Sequence, residues 1–153
     1  MEKLVRAASQ AGYRTAVIKH DGHSFSADTP GTDTARQLQA GACGAAVFDG
    51  EKFQLVRRAQ TDEQQLMELF PEAQVVFLEG FKHSAWPKIE VVRGDAGPAP
   101  VCEEETLLAL YSDIPLQSCR PIFSFQETEE LIRWVLSWIK KEEKRCWTAM
   151  AEK

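Results

Sequence analysis

The sequence predicts a single α/β domain with a mostly parallel sheet, flanking helices and an inserted β-hairpin. Three observations lead to this prediction. The apolar residues alternate along the chain between helical and strand-like spacing, which is typical of layered α/β folds. Asp49 and Gly50, a strong hairpin pair, stand between two strand-like runs. The 153 residues contain no linker and no internal repeat, so one domain is expected to span residues 1–153.

The chain begins with a predicted helix, strand and loop. Apolar residues over 1–11 repeat at helical spacing and are followed by Gly12, a typical residue after a helix C-terminus. The segment RTAVIK, residues 14–19, predicts the first strand, and the polar stretch 20–33 predicts the loop that leaves it. Asp33 is the predicted N-cap of a short helix, TARQLQA.

The remaining elements are predicted in turn from their local patterns. The segments AAVF and EKFQLVRR are the expected hairpin strands, and DEQQLMELF is a helix ended by Pro71. QVVFLEG predicts a buried strand, and KIEVV, LLALYSD and PIFSF predict three more. Ser124 and Glu127 have capping-box spacing, which predicts the start of an amphipathic terminal helix.

Composition and charge exclude several classes of protein. The chain has 18 basic and 23 acidic residues, a net charge of −5, so a uniformly basic nucleic-acid-binding surface is not expected. No apolar run approaches the roughly 18–20 residues that cross a bilayer, so no membrane partner is expected either. The four cysteines are far apart and form no C-x-x-C pair. Because no signal-peptide pattern precedes them, they are interpreted as reduced thiols of a cytoplasmic protein.

The loop after the first predicted strand carries many polar and charged side chains. In open α/β sheets, ligands bind at the carboxyl ends of strands, and this loop leaves such an end. Residues 28–31, DTPG, fit the pattern D-x-x-G, in which an aspartate can hold a Mg²⁺-bound water and a glycine lets a backbone N–H approach phosphate. The alternative is a solvated turn, because D-x-P-G is also an ordinary turn sequence. The candidate residues of this loop are Lys19, His20, His23, Asp28, Gly31, Asp33 and Arg36.

Two further strand ends carry acidic candidates. Glu79 stands at the carboxyl end of the predicted strand QVVFLEG, where an acid can hold Mg²⁺ or position water; the alternative is a terminal acid facing solvent. Lys82 and His83 follow it and add positive charge suited to an anionic ligand. Asp113 ends a later strand and can accept hydrogen bonds from a guanine edge, although it equally fits a turn.

Several common nucleotide-binding and catalytic motifs are absent from the sequence. None of the nine glycines is followed by lysine, so the sequence contains no G-x-x-x-x-G-K-[ST] phosphate loop. It also contains neither G-x-S-x-G nor G-x-G-x-x-G. His20 and His23 have no third ligand nearby, so contacts with phosphate or a pterin, or hydrogen bonds within the loop, are favoured over a zinc site.

Two segments carry a resemblance to a known family. VIKHDGHSFSADTPGTDTARQLQAGA and VVFLEGFKHSAWPKIEV resemble the MobB family, GTP-binding adaptor proteins of molybdopterin-guanine dinucleotide biosynthesis. The resemblance covers roughly residues 1–93, and the last third of the chain is similar only in outline. It implies a P-loop NTPase fold, binding of Mg²⁺ and GTP with weak hydrolysis, and a homodimer. It also implies partnership with the MobA guanylyltransferase, which attaches GMP to molybdopterin.

The resemblance also assigns roles to individual residues. Asp28 and Gly31 match the family's D-x-P-G, and Glu79 matches the acid of its E-G-F-K. These matches imply that Asp28 and Glu79 manage Mg²⁺ and hydrolysis, while Asp113 is carried over as a contact to the base. The basic residues expected to line the nucleotide and substrate groove are Lys19, His20, His23, Arg36, Lys82 and His83.

The sequence departs from the family at its start. The family has a strand and a P-loop directly before the helix that corresponds to residues 1–12 here, and that strand lies in the middle of the sheet. We therefore expect the 153-residue sequence to be truncated at its N-terminus. One hypothesis is a GTP-binding adaptor, with weak GTPase activity if an upstream P-loop is present. The alternative is a binding module without a P-loop that docks on the guanylyltransferase and has no NTPase activity.

Overall fold

The computed structural model describes the backbone of residues 1–23 and 25–151 and the side chains of residues 1–23 and 25–143. Cys146 therefore lies outside the residues whose side chains are described. Within these ranges no helix is both long enough and apolar enough to cross a membrane. The helices and strands of the described chain are, in order, α1 (Glu2–Gln10), β1 (Thr15–Lys19), α2 (Asp33–Gln39), β2 (Gly44–Phe48), β3 (Phe53–Arg57), α3 (Glu63–Met67), β4 (Val75–Glu79), β5 (Lys88–Val92), β6 (Leu107–Ser112), β7 (Ile122–Ser124) and α4 (Thr128–Ala151).

The strands of the described chain are distributed over three separate sheets. β1 pairs with β4, and β5, β6 and β7 pair in that order; all of these ladders are parallel. β2 and β3 form the predicted antiparallel hairpin. The α/β fold is thus confirmed, but the parallel strands are divided between two small sheets. The connection over residues 80–87 is shorter than the dozen or more residues that a crossover between parallel neighbours needs, so β4 and β5 are not expected to pair as parallel neighbours.

The main core lies around β6. Leu110 is fully buried and packs with Val92 and Leu107, and Cys102, Ile114 and Leu116 close the cluster. The amphipathic pattern predicted for the terminal helix is confirmed in α4. Its buried apolar residues are Leu131, Ile132 and Val135.

Of the two predicted helix caps, the structure confirms one and displaces the other by one residue. The capping box is confirmed, since Glu127 Oε2 accepts a hydrogen bond from the Ser124 N–H at 2.7 Å, ahead of the short 3-10 turn that leads into α4. The predicted N-cap Asp33 is wrong by one residue. Thr32 is the N-cap, and its Oγ1 accepts from the Ala35 N–H at 3.3 Å. Asp33 instead lies in the first turn, where a negative charge favours the helix dipole.

The hairpin turn is wider than the two residues that the Asp49–Gly50 pair indicated. The last cross-strand pair joins Phe48 and Phe53, so residues 49–52 form the turn. The Asp49 carboxylate determines this geometry, because its Oδ1 accepts from the N–H groups of Glu51 (2.8 Å) and Lys52 (2.9 Å). An aspartate that bonds to the backbone ahead of it stabilises the longer turn.

Candidate functional site

The first cluster of candidate residues lies at the carboxyl ends of β1 and β4. These strands are adjacent and parallel, and their register places Lys19 beside Glu79. The His20 N–H donates to the Glu79 carbonyl oxygen at 2.8 Å, which extends the ladder one step beyond β1. Lys19 and His20 are exposed and Glu79 is half-buried. The structure therefore brings one ammonium group, one imidazole ring and one carboxylate to the same edge of the sheet.

Gly80 allows the loops after β1 and β4 to approach closely. Its φ is +91°, in the left-handed region, and a Cβ at this position would lie 2.5 Å from the His20 carbonyl oxygen. No side chain fits this space without a shift of the backbone. The His20 ring packs against the Phe81 ring with centroids 5.4 Å apart. The two loops are thus joined by a backbone hydrogen bond, a close backbone approach and a ring contact.

The loop after β4, which carries Lys82 and His83, is held in place by Lys88, a residue that the sequence analysis did not single out. The Lys88 ammonium donates to the carbonyl oxygens of Lys82 (3.4 Å) and Ser84. Lys88 therefore neutralises backbone dipoles inside the loop, while the side chains of Lys82 and His83 are exposed. No local sequence signal distinguishes Lys88, because its role depends on a side chain that folds back onto the preceding loop.

The Asp28 carboxylate organises the start of α2. Its Oδ2 accepts from the Thr34 hydroxyl and its Oδ1 accepts from the Thr29 N–H at 2.8 Å. The hydrogen bond from Thr34, followed by that from the Thr29 backbone, holds the pKa of Asp28 below its ordinary value. The carboxylate is consequently ionised at neutral pH. Thr34 was missed by the sequence analysis, although the hydroxyl-rich run DTPGTDT that ends with it is a detectable signal.

The other candidates of the first loop have local roles in the structure. Gly31 has a φ of +91°, which provides the turn that leads into α2. The Arg36 guanidinium forms an ion pair with Asp33 one turn earlier in the helix. The His23 N–H donates to Asp21 Oδ1 at 3.2 Å, and its side chain is exposed. None of these contacts links the three residues to Lys19 or Glu79 in the described part of the chain.

Asp113 lies on the other parallel sheet. It follows β6, and its Oδ1 accepts from the Gly94 N–H at 2.9 Å. The carboxylate therefore joins the loops that follow β5 and β6 at their carboxyl ends. This is a structural role that uses one carboxylate oxygen, and the side chain is otherwise exposed.

The carboxylates of the candidate site fit Mg²⁺ only if a substrate phosphate supplies further ligands to the ion. Across the described residues, no group of three or more His, Cys, Asp or Glu side chains is placed to hold a metal ion. Asp28 lies in the loop before α2 and Glu79 at the end of β4, and no hydrogen bond links these two described residues. Mg²⁺ usually takes one or two carboxylates and completes its shell with water and substrate phosphates. Single carboxylates such as these are compatible with that mode and not with a cage formed by the protein alone.

Comparison with curated proteins finds related adapter proteins. The chain is 27% identical over 150 residues to the molybdopterin-guanine dinucleotide biosynthesis adapter protein of Escherichia coli K12, a match that covers 93% of this chain and 86% of that protein. It is 34% identical over 96 residues to the probable molybdopterin-guanine dinucleotide biosynthesis adapter protein of Bacillus subtilis 168. That second match covers 60% of this chain and 56% of the relative.

Comparison with solved structures finds the same fold. The crystal structure of Bacillus subtilis MobB matches with a TM-score of 0.72 and 28% identity over 89% of this chain and 86% of that one. A MobB homolog from Bacillus stearothermophilus matches with a TM-score of 0.70 and 25% identity over 92% and 88% of the two chains. The family model of molybdopterin guanine dinucleotide synthesis protein B matches residues 1–113, which include all the candidate residues above. The chain therefore belongs to the MobB family.

Proposed function

We propose that this protein is a cytoplasmic GTP-binding adaptor with weak GTPase activity that assists the guanylylation of molybdopterin. Membership of the MobB family supports the coarser part, a role in molybdenum cofactor biosynthesis. The finer part comprises Mg²⁺ and GTP as ligands, the guanylyltransferase MobA as partner, molybdopterin as the bound substrate and a homodimer as the working form.

The observation that carries the proposal is the joined pair of loops after β1 and β4. Lys19 and His20 at the end of β1, and Lys82 and His83 in the loop after β4, provide two ammonium groups and two imidazole rings. Glu79 lies between them, at the end of β4. Such a cluster attracts a polyanion such as a nucleotide phosphate or a pterin phosphate. The backbone contacts at Gly80 fix the spacing of the two loops before any ligand binds.

The two carboxylates are assigned different roles from their different surroundings. Thr34 and Thr29 fix Asp28, so its carboxylate is positioned to hold a water molecule of hydrated Mg²⁺. No hydrogen bond or ion pair within the described residues engages the Glu79 side chain, so this carboxylate remains available to orient the attacking water. Bound Mg²⁺ would supply the charge that stabilises the phosphate oxygens during hydrolysis. Asp113 is proposed to contact the guanine edge with its second carboxylate oxygen.

Calorimetric titration of the protein with GTP, with and without Mg²⁺, tests the proposal. Saturable binding that is stronger with Mg²⁺ supports it. If the protein takes up no GTP at millimolar concentration but binds the guanylyltransferase, the alternative is favoured, namely a docking module without NTPase activity. The specific observation in favour of that alternative is the absence of a G-x-x-x-x-G-K-[ST] loop from the 153 residues.

Asp28→Asn is expected to weaken Mg²⁺-dependent GTP binding by about tenfold, the typical cost of losing one charge-assisted hydrogen bond. Asparagine keeps the size of the side chain and can still accept from the Thr29 N–H, so α2 should remain in place. The measurement is the same titration. Asp21→Asn is the matched control, because it removes the same charge from the same exposed loop. Equal losses in the two variants would show a general charge effect and contradict the assigned role.

Glu79→Gln is expected to lower the rate of GTP hydrolysis by about 10²-fold or more, while GTP affinity changes little, since a water-positioning group acts mainly in the transition state. Phosphate release and GTP titration, measured on the same preparation, separate the two effects. A parallel loss of affinity and rate would make Glu79 a binding or structural residue instead. The β4 backbone contacts remain in this variant, because they use the main chain of residue 79.

A further inference from the structure

Arg93 is an exposed arginine that directly follows β5, at the carboxyl end of this strand. Its carbonyl oxygen accepts a hydrogen bond from the Ala96 N–H at 3.1 Å, which fixes the backbone of the turn after the strand. Among the described residues, no ion pair or hydrogen bond engages its guanidinium group. Since ligands of open α/β sheets bind at the carboxyl ends of strands, an arginine without an internal partner at this position is a candidate binding residue.

Arg93 lies beside Asp113 at the carboxyl edge of the three-stranded sheet. β5 and β6 are parallel, and their last register pair joins Val92 and Ser112. The residues that follow, Arg93 and Asp113, are therefore neighbours just beyond the end of the ladder. Within the described chain no ion pair links their side chains. The structure thus places a residue that donates hydrogen bonds next to one that accepts them, without pairing the two.

The Asp113 carboxylate is oriented by the loop that follows Arg93. Its Oδ1 accepts from the Gly94 N–H at 2.9 Å. Glycine is suited to this position because a Cβ there would lie 2.9 Å from the Ile114 Cγ2 atom. No hydrogen bond within the described residues engages Oδ2 of Asp113. One carboxylate oxygen therefore fixes the side chain, and the other stays open to a ligand.

The backbone that carries Asp113 is anchored on both sides. Ser112 is 2% exposed, and its hydroxyl donates to the Ile114 carbonyl oxygen at 2.9 Å and accepts from the Ile114 N–H at 3.1 Å. Ile114 packs against the core cluster around Leu110. The carboxylate is thus held in place before any ligand binds, which lowers the entropic cost of binding.

An arginine next to an aspartate is complementary to one type of heterocyclic edge. A guanidinium group only donates hydrogen bonds, and an ionised carboxylate only accepts them. Guanine presents an oxo group, which accepts, next to a ring N–H and an amino group, which donate; the pterin ring carries the same aminopyrimidinone edge. Adenine has the opposite order, since its amino group donates and the adjacent ring nitrogen accepts. The two residues therefore match guanine and pterin and would leave groups unpaired against adenine.

We propose that Arg93 and Asp113 together bind the aminopyrimidinone edge shared by guanine and pterin rings. Arg93 donates to the oxo group, and Asp113 Oδ2 accepts from the ring N–H and the amino group. The inference rests on the proposed function, in which Asp113 alone contacts the guanine edge, and it adds Arg93 as the residue that sets selectivity against adenine.

Calorimetric titration of the full chain with GTP, ATP and hydroxymethylpterin tests the assignment. Arg93→Met is expected to lower the ratio of GTP to ATP affinity by about tenfold, the usual cost of losing one specific base contact. A general loss of positive charge would weaken both nucleotides equally and leave this ratio unchanged. Arg58→Met is the matched control, because Arg58 is also exposed but follows β3, on the antiparallel hairpin. Arg93→Lys keeps a donor and should restore part of the ratio.

Asp113→Asn tests the other half of the pair. Asparagine Oδ1 can still accept from the Gly94 N–H, so the amide nitrogen takes the place of Oδ2. Because this nitrogen donates, the preference should move from GTP towards XTP, whose xanthine ring has an oxo group where guanine has the amino group. An unchanged ratio of GTP to XTP affinity would contradict the contact.

The ligands separate the two possible rings and the two proposals. A loss in Arg93→Met that is confined to GTP assigns the edge to guanine, and a loss confined to hydroxymethylpterin assigns it to the pterin ring. If GTP binds and Arg93→Met changes neither the GTP to ATP ratio nor pterin affinity, the inference is overturned and the proposed function stands. If the wild-type protein binds the pterin through Arg93 but no GTP, the inference stands and GTP is removed from the proposed function. A wild-type protein that binds neither ligand overturns both.

Discussion

Leu110→Ala is expected to lower the free energy of unfolding by about 2–5 kcal/mol, the usual range for a buried leucine. Leu110 has no exposed surface and lies on β6, the central strand of the three-stranded sheet. It packs with Val92 and Leu107 in the core cluster. Alanine would leave a cavity among these side chains, and the ladders on both sides of β6 limit how far the backbone can move to close it.

Urea denaturation followed by circular dichroism measures this effect, with the slope of the transition compared to test whether unfolding remains two-state. Leu69→Ala is the control, because Leu69 is 62% exposed and the same truncation there should change stability by about 0.5 kcal/mol or less. If the two variants lost similar stability, the cluster around β6 would not be the main core. A Leu110→Ala variant that does not fold at all can be replaced by Leu110→Val, which removes one methylene and should cost about 1 kcal/mol.

The elements could be predicted from the sequence because each one depends on nearby residues. The strand-like segment RTAVIK, the amphipathic pattern of α4 and the capping box of Ser124 and Glu127 are all local patterns, and each was found where it was expected. The turn over residues 49–52 was predicted too short because the bonds from the Asp49 carboxylate to two backbone N–H groups compete with the two-residue turn. A short motif does not reveal which of these two local solutions is more stable.

The way in which the strands divide into separate sheets could not be predicted from local patterns. Sheet pairing joins residues far apart in sequence, such as Lys19 and Glu79, and depends on the length of the connections. The general rule about carboxyl ends was sufficient to expect the loops after β1 and β4 near a common edge. It was not sufficient to find the groups that hold those loops. Phe81 and Lys88 act through a ring contact and through backbone carbonyl groups, and neither contact has a sequence signature.

The same argument applies to the exposed hairpin. The sequence predicted two strands with apolar residues, and such strands are usually buried on at least one side. Which side is covered depends on α2 and on the bond from Gln54 to the Ala27 carbonyl group, both of which are tertiary features. The exposure of Phe48 and Phe53 therefore became visible only in the structure.

Gly80→Ala is expected to destabilise the protein by about 2 kcal/mol or more, for two reasons that add. The left-handed backbone at φ +91° costs a residue with a Cβ about 1–2 kcal/mol. The new Cβ would also lie 2.5 Å from the His20 carbonyl oxygen, a distance that requires the backbone to shift. The shift would separate the loops after β1 and β4, and the hydrogen bond from the His20 N–H to the Glu79 carbonyl group would lengthen or break. Nucleotide binding should therefore fall together with stability.

Gly12→Ala provides a matched control for the first reason alone. Gly12 has nearly the same conformation, with a φ of +93°, and a Cβ there would meet nothing within 4 Å. Its substitution should show only the conformational cost, about 1 kcal/mol, and should leave Mg²⁺-GTP binding unchanged because it lies at the end of α1, away from the joined loops. Denaturation and calorimetric titration of both variants separate the two contributions. Equal destabilisation by the two substitutions, with GTP binding intact in Gly80→Ala, would show that the close approach of the loops at His20 is not needed to hold the site.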